Sequence, residues 1–201
     1  MDARTSYPRP LSHTQRVLVV GVWGVGKTTV GERLAGALGW RFKDSDALIP
    51  SFVQAVRSHD EIALSERVRR LRALIERPND GSPCVIATNM RPLLDGNRRL
   101  HIETQLALES KRCIVVEVQR DLGEIASFLL RTPVERAKRP NLRGDTYDAI
   151  RTHLEEVRTE LAPLYERYRS SLVNLSDQDL DQALDQIVAD IAALGANRTH
   201  S

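Results

Sequence analysis

The chain has 201 residues, of which 41% are hydrophobic, and this is enough for one α/β domain with a well-filled core. The formal net charge of +2 predicts no nucleic-acid partner, and no apolar stretch is long enough to predict a membrane span. Residues 1–14 contain two prolines and no apolar centre, so we expect a loose tail rather than a secretory signal and, by default, a cytoplasmic location.

Segments typical of strands and of helices alternate along the chain, which predicts an α/β fold with a parallel sheet. Five strands are predicted, over residues 16–20, 41–43, 84–87, 113–118 and 171–175. Helices are predicted over residues 26–38, 61–76, 92–109, 122–130, 146–169 and 179–194. Cys84 and Cys113 each begin a buried strand, so we expect core thiols rather than a disulfide or a metal site. Residues 15–196 form one predicted domain, followed by a tail at 197–201.

The first strand leads into the run Gly-Val-Trp-Gly-Val-Gly-Lys-Thr at residues 21–28, which fits the phosphate-binding pattern G-x-x-x-x-G-K-[ST]. Its glycines let phosphate oxygens approach the backbone, while the loop N–H groups and the positive end of the next helix attract their charge. Lys27 is expected to reach the β- and γ-phosphates, and the Thr28 hydroxyl to bind Mg²⁺. The predicted nucleotide-binding residues are Gly21, Gly24, Val25, Gly26, Lys27, Thr28 and Thr29. Trp23 within the loop either packs against the nucleotide or covers the domain.

Polar side chains follow two predicted strands at the points where these strands end. Asp44 and Asp46 follow the second strand, and Thr88 and Asn89 follow the third. Ligands of open parallel sheets bind beyond the carboxyl ends of the strands, so all four residues are candidates for substrate or metal contact. One aspartate could hold Mg²⁺ through water and the other could orient or deprotonate an acceptor hydroxyl. The alternative for both pairs is a turn or a helix cap.

Residues 131–144 are strongly basic and contain two prolines and a glycine, which predicts a mobile loop. The arginines of this loop are Arg131, Arg136, Arg139 and Arg143. Phosphoryl transfer spreads negative charge over the γ-phosphate oxygens, and an arginine that closes over them would stabilise it. The alternative is a solvated charged surface.

Together these residues resemble shikimate kinase and its relatives among the small P-loop kinases. The likeness covers the loop, helix and Asp-x-Asp of residues 21–46, Arg131 and Arg139-Pro140 in the basic segment, and Pro163-Leu164-Tyr165-Glu166 in the long helix. It implies a three-layer α/β/α fold with a five-stranded parallel sheet, a substrate-binding helical insertion at about residues 46–80 and a lid at 131–144. It also implies ATP as the phosphate donor, Mg²⁺ as the metal, a small-molecule hydroxyl acceptor, and a monomer or homodimer.

The resemblance implies roles for individual residues as well. Lys27, Asp46 and Arg139 are the expected catalytic residues, with Asp46 beside the acceptor hydroxyl and Arg139 over the transferring phosphate. Asp44 becomes the metal-side carboxylate, and Arg131 the contact to adenine.

Three positions depart from the family pattern where the acceptor binds. Thr88-Asn89-Met90 replaces a glycine triplet, Leu64-Ser65 replaces Phe-Arg, and Leu161 replaces an arginine two residues before the Pro-Leu-Tyr segment. Arg158, nearly one helical turn away, is a candidate substitute for that arginine. Shikimate carries a carboxylate that such groups bind, so the departures speak against shikimate. The retained Asp44 and Asp46 would suit a hydroxyl acceptor such as a polyol, sugar acid or cyclitol.

Two other functions remain open at this point. A nucleoside or nucleotide kinase has the same core, but it would need aromatic or amide groups to read a base, and aromatic residues make up only 4% of the chain. A regulatory P-loop ATPase would bind nucleotide without a small acceptor. A GTPase is not indicated, because N-K-x-D and D-x-x-G are missing from the appropriate places.

Overall fold

The computed structural model describes residues 16–45, 69, 83–88, 113–137, 139 and 142–198. Most of the predicted insertion at 46–80, the predicted helix at 92–109 and the N-terminal tail lie outside the described residues. Arg69, the described residue of that insertion, is helical. No helix among the described residues combines the length and apolarity that a membrane span requires.

The described residues form a five-stranded parallel sheet, as predicted. Its strands are β1 (Arg16–Val20), β2 (Arg41–Asp44), β3 (Cys84–Ala87), β4 (Cys113–Gln119) and β5 (Arg169–Asn174). They lie in the order β2-β3-β1-β4-β5. Every residue of β1 and β3 is buried, which is expected of parallel strands with both faces covered. Because all five strands run in one direction, their carboxyl ends meet at one edge of the sheet, with β1 at its centre.

The cysteines are core thiols, as predicted. Cys84 and Cys113 are free and buried, and both pair with Arg16 of β1 from opposite sides. Two strand spacings, roughly 9.6 Å, therefore separate their backbones, which is more than a disulfide can bridge.

Apart from the helical residue Arg69, five helices accompany the sheet in the part of the chain that the structure describes. They are α1 (Lys27–Leu38), α2 (Leu122–Arg131), α3 (Pro133–Ala137), α4 (Tyr147–Tyr168) and α5 (Leu180–Arg198). Helix α1 packs against β1, β2, β3 and α5, α5 also packs against β5, and α2 packs against α4. Gly39 ends α1 with φ 67°, so the predicted glycine cap is confirmed.

One local prediction needs correction, because the basic segment at 131–144 is not loop throughout. Residues Pro133–Ala137 form α3. Proline is favoured at the first helical position, where its missing N–H costs nothing and its fixed φ suits the helix. Glu135 adds an acidic side chain to the first turn, where the helix dipole favours negative charge.

Candidate functional site

The loop at residues 21–26 joins the central strand β1 to α1 through backbone conformations that favour glycine. The φ angles are 148° at Gly21, 78° at Gly24 and 103° at Gly26. A Cβ on Gly21 would collide with the carbonyl oxygen of Val118 in β4, and one on Gly24 would lie 2.8 Å from Cγ2 of Ile125 in α2. Glycine at these positions therefore lets the loop lie directly against β4 and α2.

Buried valines anchor the loop, and the start of α1 after it has no side-chain cap. Val22 and Val25 are 6% and 0% exposed, so their side chains are fixed in the core. Helix α1 begins after Gly26 with no side-chain cap and no acidic residue in its first turn. Backbone N–H groups at a helix start lack partners within the helix and attract phosphate. Lys27 adds a positive charge here, and its Nζ donates to the Val22 carbonyl at 2.9 Å.

A hydroxyl and a carboxylate meet beside this helix start. Thr28 Oγ1 donates to Asp44 Oδ2 at 2.9 Å, which joins the first turn of α1 to the end of β2. Both are oxygen ligands of the kind that Mg²⁺ accepts. Among the described residues, no group of three metal-ligating side chains exists. The pair therefore fits an ion that takes one or two protein oxygens and completes its shell with water and nucleotide phosphates, as Mg²⁺ does.

The candidate acceptor residues at the ends of β2 and β3 are only partly described. The backbone N–H groups of Ser45 and Thr88 donate to neighbouring strands at 2.9 and 3.0 Å, which continues both ladders past the strand ends. Thr88 is 3% exposed, so its side chain is enclosed by protein. Asp46 and Asn89, the next residue in each case, lie outside the described residues.

The two arginines assigned to the lid and to adenine contact groups of their own segment. Arg131 Nε donates to the Ser127 carbonyl at 3.2 Å. Arg139 Nη1 contacts the Glu135 carbonyl and lies 3.3 Å from Glu135 Oε2, and its side chain is 19% exposed. Their roles toward a nucleotide stay predictions.

Helix α4 presents Arg158 and Leu161 in different surroundings. Arg158 is exposed and lies 3.3 Å from Glu155. Leu161 is 1% exposed and belongs to the hydrophobic core. Arg158 also borders a cavity of about 350 Å³, which is lined by Glu117, Gln119, Arg158, Thr159, Ala162, Tyr165 and Glu166.

A buried polar cluster beside this cavity was not predicted. Glu117, which is 5% exposed, accepts hydrogen bonds from Arg169 Nη1 at 2.8 Å and from Gln119 Nε2 at 2.7 Å. Burial, followed by the charge of Glu117, raises the pKa of the Tyr165 phenol well above its ordinary value, and the backbone of Gly21 partly offsets this. A carboxylate within the apolar run at 113–118 was the available signal, since a buried charge requires partners.

The environment of Trp23 favours the covering role over contact with the nucleotide. Its ring lies 5.6 Å from that of His153 in α4, centroid to centroid, with an interplanar angle of 35°. It also packs against the hydrophobic core. His153 is 5% exposed, and its Nδ1 lies 3.3 Å from Glu156 Oε2.

Comparisons with known proteins agree with this geometry. The family model for shikimate kinase matches residues 23–192. A shikimate kinase from Ruegeria pomeroyi is 31% identical over 182 residues, which cover 88% of this chain and 84% of that protein. One from Nitratidesulfovibrio vulgaris is 29% identical over 183 residues, which cover 91% of this chain and 97% of that protein.

Solved structures with lower identity share the fold. Shikimate kinase from Acinetobacter baumannii in complex with shikimate superposes with a TM-score of 0.68 at 24% identity, covering 92% of this chain and 98% of that one. A gluconokinase from Sinorhizobium meliloti superposes with a TM-score of 0.56 at 21% identity, covering 94% and 98%.

Proposed function

Because the chain belongs to the shikimate kinase family and is an ATP-dependent kinase of a small-molecule hydroxyl, we propose that its acceptor is a polyol, sugar acid or cyclitol other than shikimate. The observation that carries the acceptor proposal is the burial of Leu161. This residue replaces the arginine that precedes the family's Pro-Leu-Tyr segment, and it is 1% exposed within the core. A packed leucine offers no partner to a carboxylate at this position, which speaks against shikimate, and an acidic acceptor of another kind would need a different cation, for which Arg158 is the candidate.

The donor half of the proposed reaction rests on the loop, Lys27 and the Thr28–Asp44 pair. Thr28 and Asp44 would hold Mg²⁺, which supplies positive charge to the β- and γ-phosphates of ATP. Lys27, at the start of α1, would neutralise further phosphate charge once its ammonium leaves the Val22 carbonyl. The loop N–H groups would fix the position of the phosphates.

The proposed chemical step is a direct transfer of the γ-phosphoryl group to the acceptor hydroxyl. The acceptor oxygen forms a bond to the γ-phosphorus while the bond from that phosphorus to the β,γ-bridging oxygen breaks, and ADP leaves with the electron pair. Asp46 would orient the acceptor hydroxyl and receive its proton. Arg139 would turn from Glu135 toward the transferring group and stabilise its charge.

The acceptor is identified by ADP release in a coupled assay with a panel of hydroxylated compounds. The panel contains shikimate, gluconate, myo-inositol, simple alditols and nucleosides, and Lys27→Ala serves as the inactive control. We expect one polyol, sugar acid or cyclitol to raise the rate far above that with shikimate. The highest kcat/KM with shikimate would refute the acceptor proposal, and stimulation by nucleosides would establish a nucleoside kinase. Tight ATP binding without stimulation by any compound would favour a regulatory ATPase.

Arg158 offers a second test of the acceptor class. If Arg158 replaces the missing arginine, Arg158→Ala should raise KM for an acidic acceptor about tenfold or more, because a charge-assisted hydrogen bond is lost. KM for a neutral acceptor should not change. Arg151→Ala is the matched control, because Arg151 is an exposed arginine on the same helix. Equal effects of both variants would remove Arg158 from the acceptor site.

The same proposal includes a cytoplasmic location and a monomeric or homodimeric state. Mass determination in solution at working concentration tests the second point, and a larger assembly would contradict it.

A further inference from the structure

The outer part of the nucleotide loop is held between two helices. On one side Gly24 lies so close to α2 that an added Cβ would be 2.8 Å from Ile125 Cγ2 and 3.6 Å from Leu129 Cδ1. On the other side the Trp23 ring lies 5.6 Å from the His153 ring of α4. Adjacent loop residues are therefore fixed by different helices.

These helices border the arginine-rich segment. Helix α2 ends at Arg131 and α4 begins at Tyr147, so residues 132–146 connect the two elements that hold the loop. They also pack against each other. The contacts of Trp23 and Gly24 thus join the phosphate-binding loop to the helix pair on which the predicted lid is mounted.

A loop that binds phosphate through backbone N–H groups must keep those groups in one conformation. Ordering a free backbone costs about 1–2 kcal/mol per residue, and a loop that is already ordered avoids this cost on binding. Buried Val22 and Val25 fix the inward side of the loop. Trp23, on the outer side of the loop, is only partly buried and packs against the core and against the ring of His153.

We propose that His153 is a positioning residue of the nucleotide site. Its ring holds Trp23, and through Trp23 it keeps residues 22–26 in the conformation that receives phosphate. His153 touches no substrate in this role, and its effect passes through the indole. The inference rests on the proposed function of the loop, so its test measures nucleotide binding and does not require the acceptor.

The test uses ADP titrations of the full chain in a Trp40→Phe background. The chain has two tryptophans, so Trp23 is then the sole indole reporter. His153→Ala should raise the Kd for ADP about two- to tenfold, since an aromatic pair contributes on this scale. It should also shift the Trp23 emission to longer wavelength as the indole gains solvent. His153→Phe, which keeps a ring at the position, should bind ADP within about twofold of the parent.

A control separates positioning from general loosening of α4. Leu154→Ala removes a fully buried side chain from the same helix, next to His153 in sequence. It should lower Tm and leave the Kd for ADP unchanged at a temperature where every variant is folded. The inference is overturned if His153→Ala lowers Tm without changing the Kd, or if Leu154→Ala raises the Kd as much. Failure of the parent to bind ADP would instead refute the nucleotide site itself.

Discussion

Replacing Asp44 by asparagine should weaken nucleotide binding in the presence of Mg²⁺ but not in its absence. The carbonyl of the introduced amide can still accept from Thr28, whose Oγ1 lies 2.9 Å from Asp44 Oδ2, so the local fold should persist. The charge is what changes. Two unit charges 4 Å apart attract by about 1 kcal/mol in water and about 4 kcal/mol at an effective dielectric constant of 20, and a divalent ion doubles both values.

Asp44 is partly exposed, so the solvent-screened end of this range applies. A loss of about 2–3 kcal/mol corresponds to a roughly 30- to 150-fold weaker affinity for the Mg²⁺–ADP complex. In EDTA, which removes Mg²⁺, the effect of the substitution on ADP affinity should have the opposite sign, because an aspartate near the phosphates repels them. The variant should then bind free ADP as well as the parent or better.

Isothermal titration with ADP, in Mg²⁺ and in EDTA, measures both quantities. Glu32→Gln is the control, because it removes one exposed negative charge from helix α1 outside the predicted phosphate-binding residues, and should change neither affinity by more than about twofold. Equal weakening of Asp44→Asn in Mg²⁺ and in EDTA would refute the reasoning. Asp44 would then support the loop by packing and hydrogen bonding rather than by charge.

Substitutions at Lys27, Gly24 and Tyr165 probe the loop and the buried tyrosine. Lys27→Ala should lower kcat/KM for phosphoryl transfer by at least about 10²-fold, because it removes positive charge from the phosphates, and full activity would contradict the site. Gly24→Ala should lower the free energy of unfolding in urea by about 2–4 kcal/mol, because φ is 78° and Cβ meets Ile125 Cγ2 at 2.8 Å. Tyr165 has a raised pKa when folded, so its contribution to stability is full below pH ~10 and is lost above it, where the unfolded phenol ionises. The free energy of unfolding should therefore fall more steeply above pH ~10 in the parent than in Tyr165→Phe, and equal slopes would contradict this.

The elements around the nucleotide loop were predictable because their signals are local. β1 is an apolar run before a glycine pattern, and α1 ends at a glycine that adopts φ 67°. Helix α3 was not predicted, because prolines and arginines in 131–144 are typical of loops. Pro133 stands at the first helical position, where the same residue favours a helix.

The contacts that surround the loop were not predictable, because they join distant parts of the chain. Glu117 and Arg169 are 52 residues apart, and their ion pair depends on β4 lying beside β5. Trp23 and His153 are still farther apart in sequence, and their contact depends on how α4 lies against the loop. Neither contact follows a regular sequence spacing, so neither can be recognised from a single sequence.

The difference between local signals and long-range contacts also explains why family membership predicts the phosphate donor better than the acceptor. Loops with the pattern G-x-x-x-x-G-K-[ST] bind phosphate largely through backbone groups, and Gly21, Gly24 and Gly26 adopt backbone conformations here that other residues resist. Such a site tolerates few changes and keeps a recognisable pattern. An acceptor carboxylate is bound by single side chains, and one exchange can remove a contact while the fold persists. Leu161 illustrates this, because it stands where the resemblance to the family implies an arginine, and it contributes here to the core, at 1% exposure. The remaining candidate residues of the acceptor site must therefore be tested one by one, because the fold that this chain shares with the family does not determine the acceptor.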